Sequence, residues 1–135
     1  MPTRYLLDTN MASYVIKGNI PRVRERLLKV PMAQVLISAV TEAELRFGVA
    51  RRPEAVRLGT AVEEFLLRVD RLPWGSEAAQ HYARVRAALE REGKPIGNLD
   101  LMIAAHALAA RAVLVTNDRV FRRVRELTIE DWSKP

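Results

Sequence analysis

Short β-rich runs alternate with helical segments along most of this chain, and several of the runs stop at a polar residue. Arg4 to Leu7 reads as a strand that stops at Asp8-Thr9-Asn10. Val35-Leu36-Ile37 reads as a second, stopping at Ser38, and Ala112 to Val115 as another, stopping at Thr116-Asn117-Asp118. Val69 to Leu72 and Leu127 to Ile129 are weaker strand candidates. Strands separated by helices predict a parallel sheet with helices on both faces, an α/β fold. In such sheets ligands bind beyond the carboxyl ends of the strands, which directs attention to Asp8 and Asp118.

Between these runs the helices carry recognisable start and stop signals. Asp8 can cap a helix from Met11 to Lys17, which Gly18-Asn19 ends. Pro21 sits in the first turn of the next, Arg22 to Lys29. Ser38 caps a helix to Ala50, and Pro53-Glu54 opens another to Leu67. From Gly75-Ser76 a long amphipathic helix aligns Ala78, Tyr82, Val85 and Leu89, and Gly93 ends it. Asn98 is expected to cap a buried, alanine-rich helix to Ala110, with His106 in its middle as a structural residue.

The 135 residues are read as one domain, 1–135. No apolar run approaches the roughly 18 residues of a membrane helix. The start of the chain lacks the apolar length of a secretory signal, and cysteine is absent, so the expected location is the cytoplasm. The formal net charge of +6 favours a polyanionic partner such as nucleic acid, against the alternative of a merely soluble basic surface.

Four acids stand where plain structure does not require them. Glu44 shares a helical stripe with Val40, Ala43, Phe47 and Ala50, so it is expected to point with an apolar face, whereas Glu42 lies off that face. A buried carboxylate is costly unless paired or metal-bound. Asp100 opens the most apolar helix, where the helix dipole favours an acid by about 0.3–1 kcal/mol. Each acid has an ordinary reading: Asp8, Asp100 and Asp118 as caps or turn residues, Glu44 as a salt-bridge partner. Their common placement, at strand ends and helix starts, can bring them together in a parallel sheet. Converging carboxylates need a cation, and an all-oxygen donor set with no thiol suits magnesium or manganese. Such a site on a basic chain points to phosphodiester chemistry.

Four blocks, in order, carry a resemblance. They are Tyr5-Leu-Leu-Asp8-Thr-Asn10; Ile37-Ser-Ala-Val-Thr-Glu-Ala-Glu44-Leu-Arg-Phe-Gly48; Pro95-Ile-Gly-Asn-Leu-Asp100-Leu-Met-Ile-Ala-Ala-His106; and Val115-Thr-Asn-Asp118 with Glu130-Asp-Trp132. With these the chain resembles the PIN-domain family, and within it the VapC-type toxins of type II toxin–antitoxin systems. The resemblance implies a three-layer α/β/α fold with a central parallel sheet and a magnesium- or manganese-dependent endoribonuclease. It assigns the metal-binding catalytic acids to Asp8, Glu44, Asp100 and Asp118, supported by Thr9, Asn10, Ser38, Thr116 and Asn117. It also implies a homodimer, an RNA substrate (transfer RNA in relatives of similar pattern), and a cognate VapB-type antitoxin that places a basic side chain in the acidic site. Arg46, Arg51, Arg52, Arg119, Arg122 and Arg123 flank the acidic blocks and are candidates for contact with RNA or antitoxin.

Two other classes fit less well. A phosphatase with an aspartyl nucleophile at Asp8 would want a second acid two residues on, where Asn10 stands. A non-catalytic RNA-binding module would want clustered aromatics for base stacking, and the chain has few.

Overall fold

The computed structural model describes residues 2–135. Its centre is a five-stranded sheet, β1 (Tyr5–Leu7), β2 (Val35–Ser38), β3 (Asp70–Leu72), β4 (Val113–Val115) and β5 (Ile129–Glu130), in the order β3-β2-β1-β4-β5. Every pairing is parallel, with Leu6 opposite both Leu36 and Leu114. The helices are α1 (Thr9–Lys17), α2 (Pro21–Leu28), α3 (Ala39–Ala50), α4 (Val56–Arg68), α5 (Ser76–Arg91) and α6 (Asn98–Ala110).

Strand alternation makes the layers. Successive side chains point to opposite faces of a strand. Leu6, Leu36 and Leu114 therefore face one way and meet Val85 and Leu89 of α5 and Leu101, Ile103 and Ala104 of α6. Leu7, Val35, Ile37 and Val115 face the other way and meet Met11 of α1, Val23 of α2, and Val62, Phe65 and Leu66 of α4. Both faces of the sheet are thus covered, which is why its three central strands, β2, β1 and β4, are apolar almost without interruption, whereas the edge strands β3 and β5 carry charged residues. This is the three-layer α/β/α arrangement expected. Among the described residues, no helix is long and apolar enough to cross a membrane.

Three local expectations are corrected. Gly97, not Asn98, is the N-cap of α6. The α4 helix starts at Val56, because Pro53 and Glu54 are spent in a turn after α3. The buried stripe of α3 is Val40, Thr41 and Leu45, whereas Ala43, Phe47 and Ala50 are exposed, Phe47 by 64%. A stripe chosen by apolar size put the helix on the wrong face. Thr41 can turn inward because its hydroxyl lies 3.3 Å from that of Thr9. Glu44 consequently sits half-buried at the rim of the packed face rather than within it.

The strand order reverses beside β1. The chain runs from β1 to β2 and β3 on one side, then crosses to β4 and β5 on the other. The carboxyl ends of β1 and β4 therefore flank the switch point at which open α/β sheets bind ligands.

Candidate active site

Asp8 follows β1 directly and is 4% exposed. Its main-chain N–H donates to the Val115 carbonyl at 3.0 Å, continuing the pairing of β1 with β4. One side-chain oxygen accepts the Met11 N–H at 2.8 Å and so caps α1. The other accepts the Thr116 hydroxyl at 2.5 Å. The cap reading of Asp8 is therefore correct, and one of its oxygens also takes a hydroxyl from the neighbouring strand end. Thr116 accepts in turn from the Asp118 N–H at 3.0 Å. Asp118 is exposed and caps a 3-10 helix, Arg119–Arg123, through the Val120 N–H.

On the other side of β1, the Thr9 hydroxyl donates to Glu44 at 2.6 Å. A carboxylate is the stronger acceptor, so that proton goes to Glu44 and the Thr41 hydroxyl donates to Thr9. Asp100 stands half-buried in the first turn of α6.

The electrostatics show that the four acids share one region. Burial pushes the Asp8 carboxyl up to about 6, against the Thr116 hydroxyl and the Met11 N–H, which pull it down; the charges of Asp100 and Asp118 raise it further. Asp100 is raised chiefly by burial, then by Asp118 and by Glu44. A charge that raises a neighbour's pKa stands close to it, so Asp100 and Asp118 stand around Asp8, and Asp118 and Glu44 around Asp100.

The donors are hard oxygen groups. The two histidines are engaged elsewhere, His81 by Arg84 at 2.9 Å and His106 by Ser38 at 2.7 Å. Among the described residues, no three His, Cys, Asp or Glu side chains are drawn tightly enough together to enclose an ion on their own. Magnesium does not ask for such a cage, since it keeps several waters and is usually held by one or two carboxylates. The donor set thus fits a hard, partly hydrated divalent ion.

The supporting residues divide. Thr9, Ser38 and Thr116 make the hydrogen bonds given above, and Ser38 also caps α3 through the Val40 N–H at 3.0 Å. Asn117 is exposed and donates to the Tyr14 hydroxyl at 3.0 Å. Asn10 is exposed on α1 and makes no side-chain hydrogen bond among the described residues. Sequence reasoning missed Thr41, whose only signal is a hydroxyl three residues before Glu44, one helical turn away.

The arginines also divide. Arg46 is held by Glu42 and Glu63, and Arg71 joins it on Glu42. Glu42 lies off the packed face, as expected, and these two guanidiniums hold its carboxyl below the ordinary range. Arg51 stacks on Phe47 with its guanidinium 5.6 Å from the ring centre, and Arg123 donates to the Pro95 carbonyl. Arg52, Arg119 and Arg122 are exposed and form no ion pair among the described residues. Arg51 and Arg52 line a cavity of about 550 Å³ between α1, α3 and α4, and Thr9 and Glu44 stand on its wall.

A PIN domain profile matches residues 5–127. The chain belongs to the PIN-domain family. Its relatives there are VapC proteins. It is 39% identical over 131 residues to the tRNA(fMet)-specific endonuclease VapC of Shigella flexneri, covering 96% of this chain and 98% of that protein. It is 34% identical over 132 residues to Ribonuclease VapC2 of Rickettsia felis, with the same coverage. The crystal structure of DNA-bound VapBC from Salmonella typhimurium matches this PIN domain with a TM-score of 0.89 at 36% identity, covering 97% of this chain and 99% of that one.

Proposed function

We propose that this PIN domain, taken as the whole of residues 1–135, is the RNA-cleaving toxin of a VapBC-type toxin–antitoxin pair. It acts as a magnesium- or manganese-dependent endoribonuclease. The observation that carries this reading is the placement of Asp8: fixed by Thr116 and by the Met11 N–H at the carboxyl end of β1, it stands at the switch point of the sheet, where the charges of Asp100 and Asp118 add to the rise that burial gives its pKa. The VapC relatives support ribonuclease activity, and the name of the Shigella flexneri relative supports transfer RNA as the substrate.

In this reading Asp8 and Asp100 hold the ion, and Glu44 and Asp118 complete its surroundings. When bound, such an ion acidifies water and offsets the charge that develops on the phosphodiester. Thr116 fixes the rotamer of Asp8 through its hydroxyl, and Thr9 does the same for Glu44. Arg52, Arg119 and Arg122 have guanidiniums free to meet backbone phosphates, so that an acidic centre can still receive a polyanion.

The antitoxin of the VapB type is assigned to an apolar cleft of about 390 Å³ between α1, α2 and α4, lined by Tyr14, Leu27, Leu28, Met32 and Phe65. Leu28 is 76% exposed there, a state that a covering partner would end. The chain itself is proposed to form a homodimer, which light scattering of the isolated protein reads directly.

The test is to express the chain without a partner and sequence new RNA ends, with Asp100→Asn in parallel. Discrete ends that need the parent sequence and vanish with Asp100→Asn are expected. Identical ends from both, or none from either after purification with manganese, would overturn the reading.

A further inference from the structure

His106 lies in the interior of α6 and is 4% exposed, yet it does more than fill space. Its Nδ1 is 2.7 Å from the Ser38 hydroxyl. Its ring also meets the Pro73 carbonyl, just after β3. A proline offers no N–H, so the ring nitrogen that faces Pro73 carries the proton. In the neutral ring Nδ1 is then an acceptor, and Ser38 must donate to it. The Ser38 oxygen is left to accept the Val40 N–H at 3.0 Å, which is the N-cap of α3. With the ring neutral, the directions run Val40 N–H to Ser38, Ser38 O–H to His106, and His106 N–H towards Pro73. Burial of the ring pushes its pKa down, against the Pro73 carbonyl, so the neutral form prevails near neutral pH.

The two helices joined here are those that present acids to the site. The α3 helix carries Thr41 and Glu44 within two turns of its cap, and α6 carries Asp100 six residues before His106. We propose that His106 is a positioning residue: through Ser38 it fixes the start of α3 against α6 and so sets the separation of Glu44 from Asp100. This rests on the reading of those acids as metal ligands. Groups behind the ligands typically tune metal affinity by about 10–100-fold.

The experiment compares His106→Asn, whose amide can replace Nδ1, with His106→Gln, whose amide can replace the other ring nitrogen, and with His106→Leu. Two readouts are taken on each purified protein: direct manganese binding by paramagnetic relaxation, and amide exchange of Val40 and Thr41 in metal-free protein. His106→Gln and His106→Leu should weaken manganese binding about tenfold and speed exchange at the start of α3. His106→Asn should keep both near the parent. If all three variants match the parent, or if Asn and Gln lose manganese binding and protection equally, His106 is only core filling and the proposal is overturned. Should His106→Leu fail to fold, the Asn and Gln pair decides alone. Should the parent bind no manganese, the metal reading fails by itself. The exchange data then judge the role of His106: protection lost in Gln but kept in Asn supports it, and equal behaviour rejects it.

Discussion

Thr116 and Asp8, 108 residues apart in the chain, are joined by a 2.5 Å hydrogen bond across the ends of adjacent strands. The bond fixes one carboxylate oxygen while the Met11 N–H fixes the other. A carboxylate so held cannot rotate away from its neighbours; burial, and after it the charges of Asp100 and Asp118, raise its pKa to about 6 although both hydrogen bonds pull it down. Thr116→Val keeps the shape and removes the donor. It should lower the cleavage rate by about 10–100-fold with little change in RNA affinity, measured as rates and binding constants on one defined RNA.

Asp8→Asn is expected to abolish cleavage and to change how stability depends on pH. In the folded chain Asp8 titrates near 6, above its ordinary value, so the folded state binds the extra proton between about pH 4 and 6. That contribution is present below pH 4 and is lost as pH rises through 6. Its full size is about 3 kcal/mol at 1.36 kcal/mol per pH unit. The amide of Asn cannot ionise and its oxygen can still cap α1. Metal-free Asp8→Asn should therefore melt higher than the parent at pH 7.5, with the difference shrinking towards pH 4. A difference that is constant across pH would show that Asp8 carries no such strain.

Removal of divalent metal should abolish RNA cleavage, and magnesium or manganese should restore it. Manganese should also raise the melting temperature of the parent, since a ligand that binds only the folded state stabilises it. Asp100→Asn should lose both effects while remaining folded. Glu42→Gln, which gives up two exposed ion pairs, should keep both and change stability by no more than about 1 kcal/mol. Full activity of the parent in excess chelator would remove the metal from the mechanism.

The layers of the fold were legible because burial writes the pattern: β1, β2 and β4, covered on both faces, read as unbroken apolar runs between helical segments. Asp8, Ser38 and Thr116 were legible as the residues that end those strands. The face of α3 was not, because Thr41 is buried through a partner 32 residues away and no local pattern records that. Likewise His106 looked like core among alanines; its bond to Ser38 spans 68 residues and exists only once α6 is laid beside β2. Phe47 misled for the opposite reason, since a large aromatic can stay at the surface when an arginine stacks on it.

A stability test separates backbone strain from function. Arg111 ends α6 in the left-handed conformation, at φ 54°, and is exposed. An L side chain there is disfavoured by about 1 kcal/mol, a penalty that glycine escapes. Arg111→Gly should raise the stability of the fold by somewhat less than that, because glycine also loosens the unfolded chain. Denaturant unfolding of the two proteins checks it, and a loss of stability would mean that the Arg111 side chain makes a favourable contact outweighing its backbone.

The arginines yield the most discriminating prediction, because the structure sorts six neighbours of similar sequence context by what already holds them. Arg46 has its guanidinium shared between Glu42 and Glu63. To meet a phosphate it would have to abandon both. Arg119 and Arg122 leave the 3-10 helix that Asp118 caps, with no acidic partner among the described residues. Arg52 stands free on the cavity that Glu44 lines. Each phosphate contact releases counterions, so removing one lowers the slope of log affinity against log salt by about one. Arg52→Ala, Arg119→Ala and Arg122→Ala should each show that drop on a catalytically silent Asp100→Asn background, where RNA stays intact. Arg46→Ala should leave the slope unchanged. If instead Arg46→Ala flattens it and the other three do not, the RNA runs over the outer face of α3, and the assignment of phosphate contacts to Arg52, Arg119 and Arg122 is wrong.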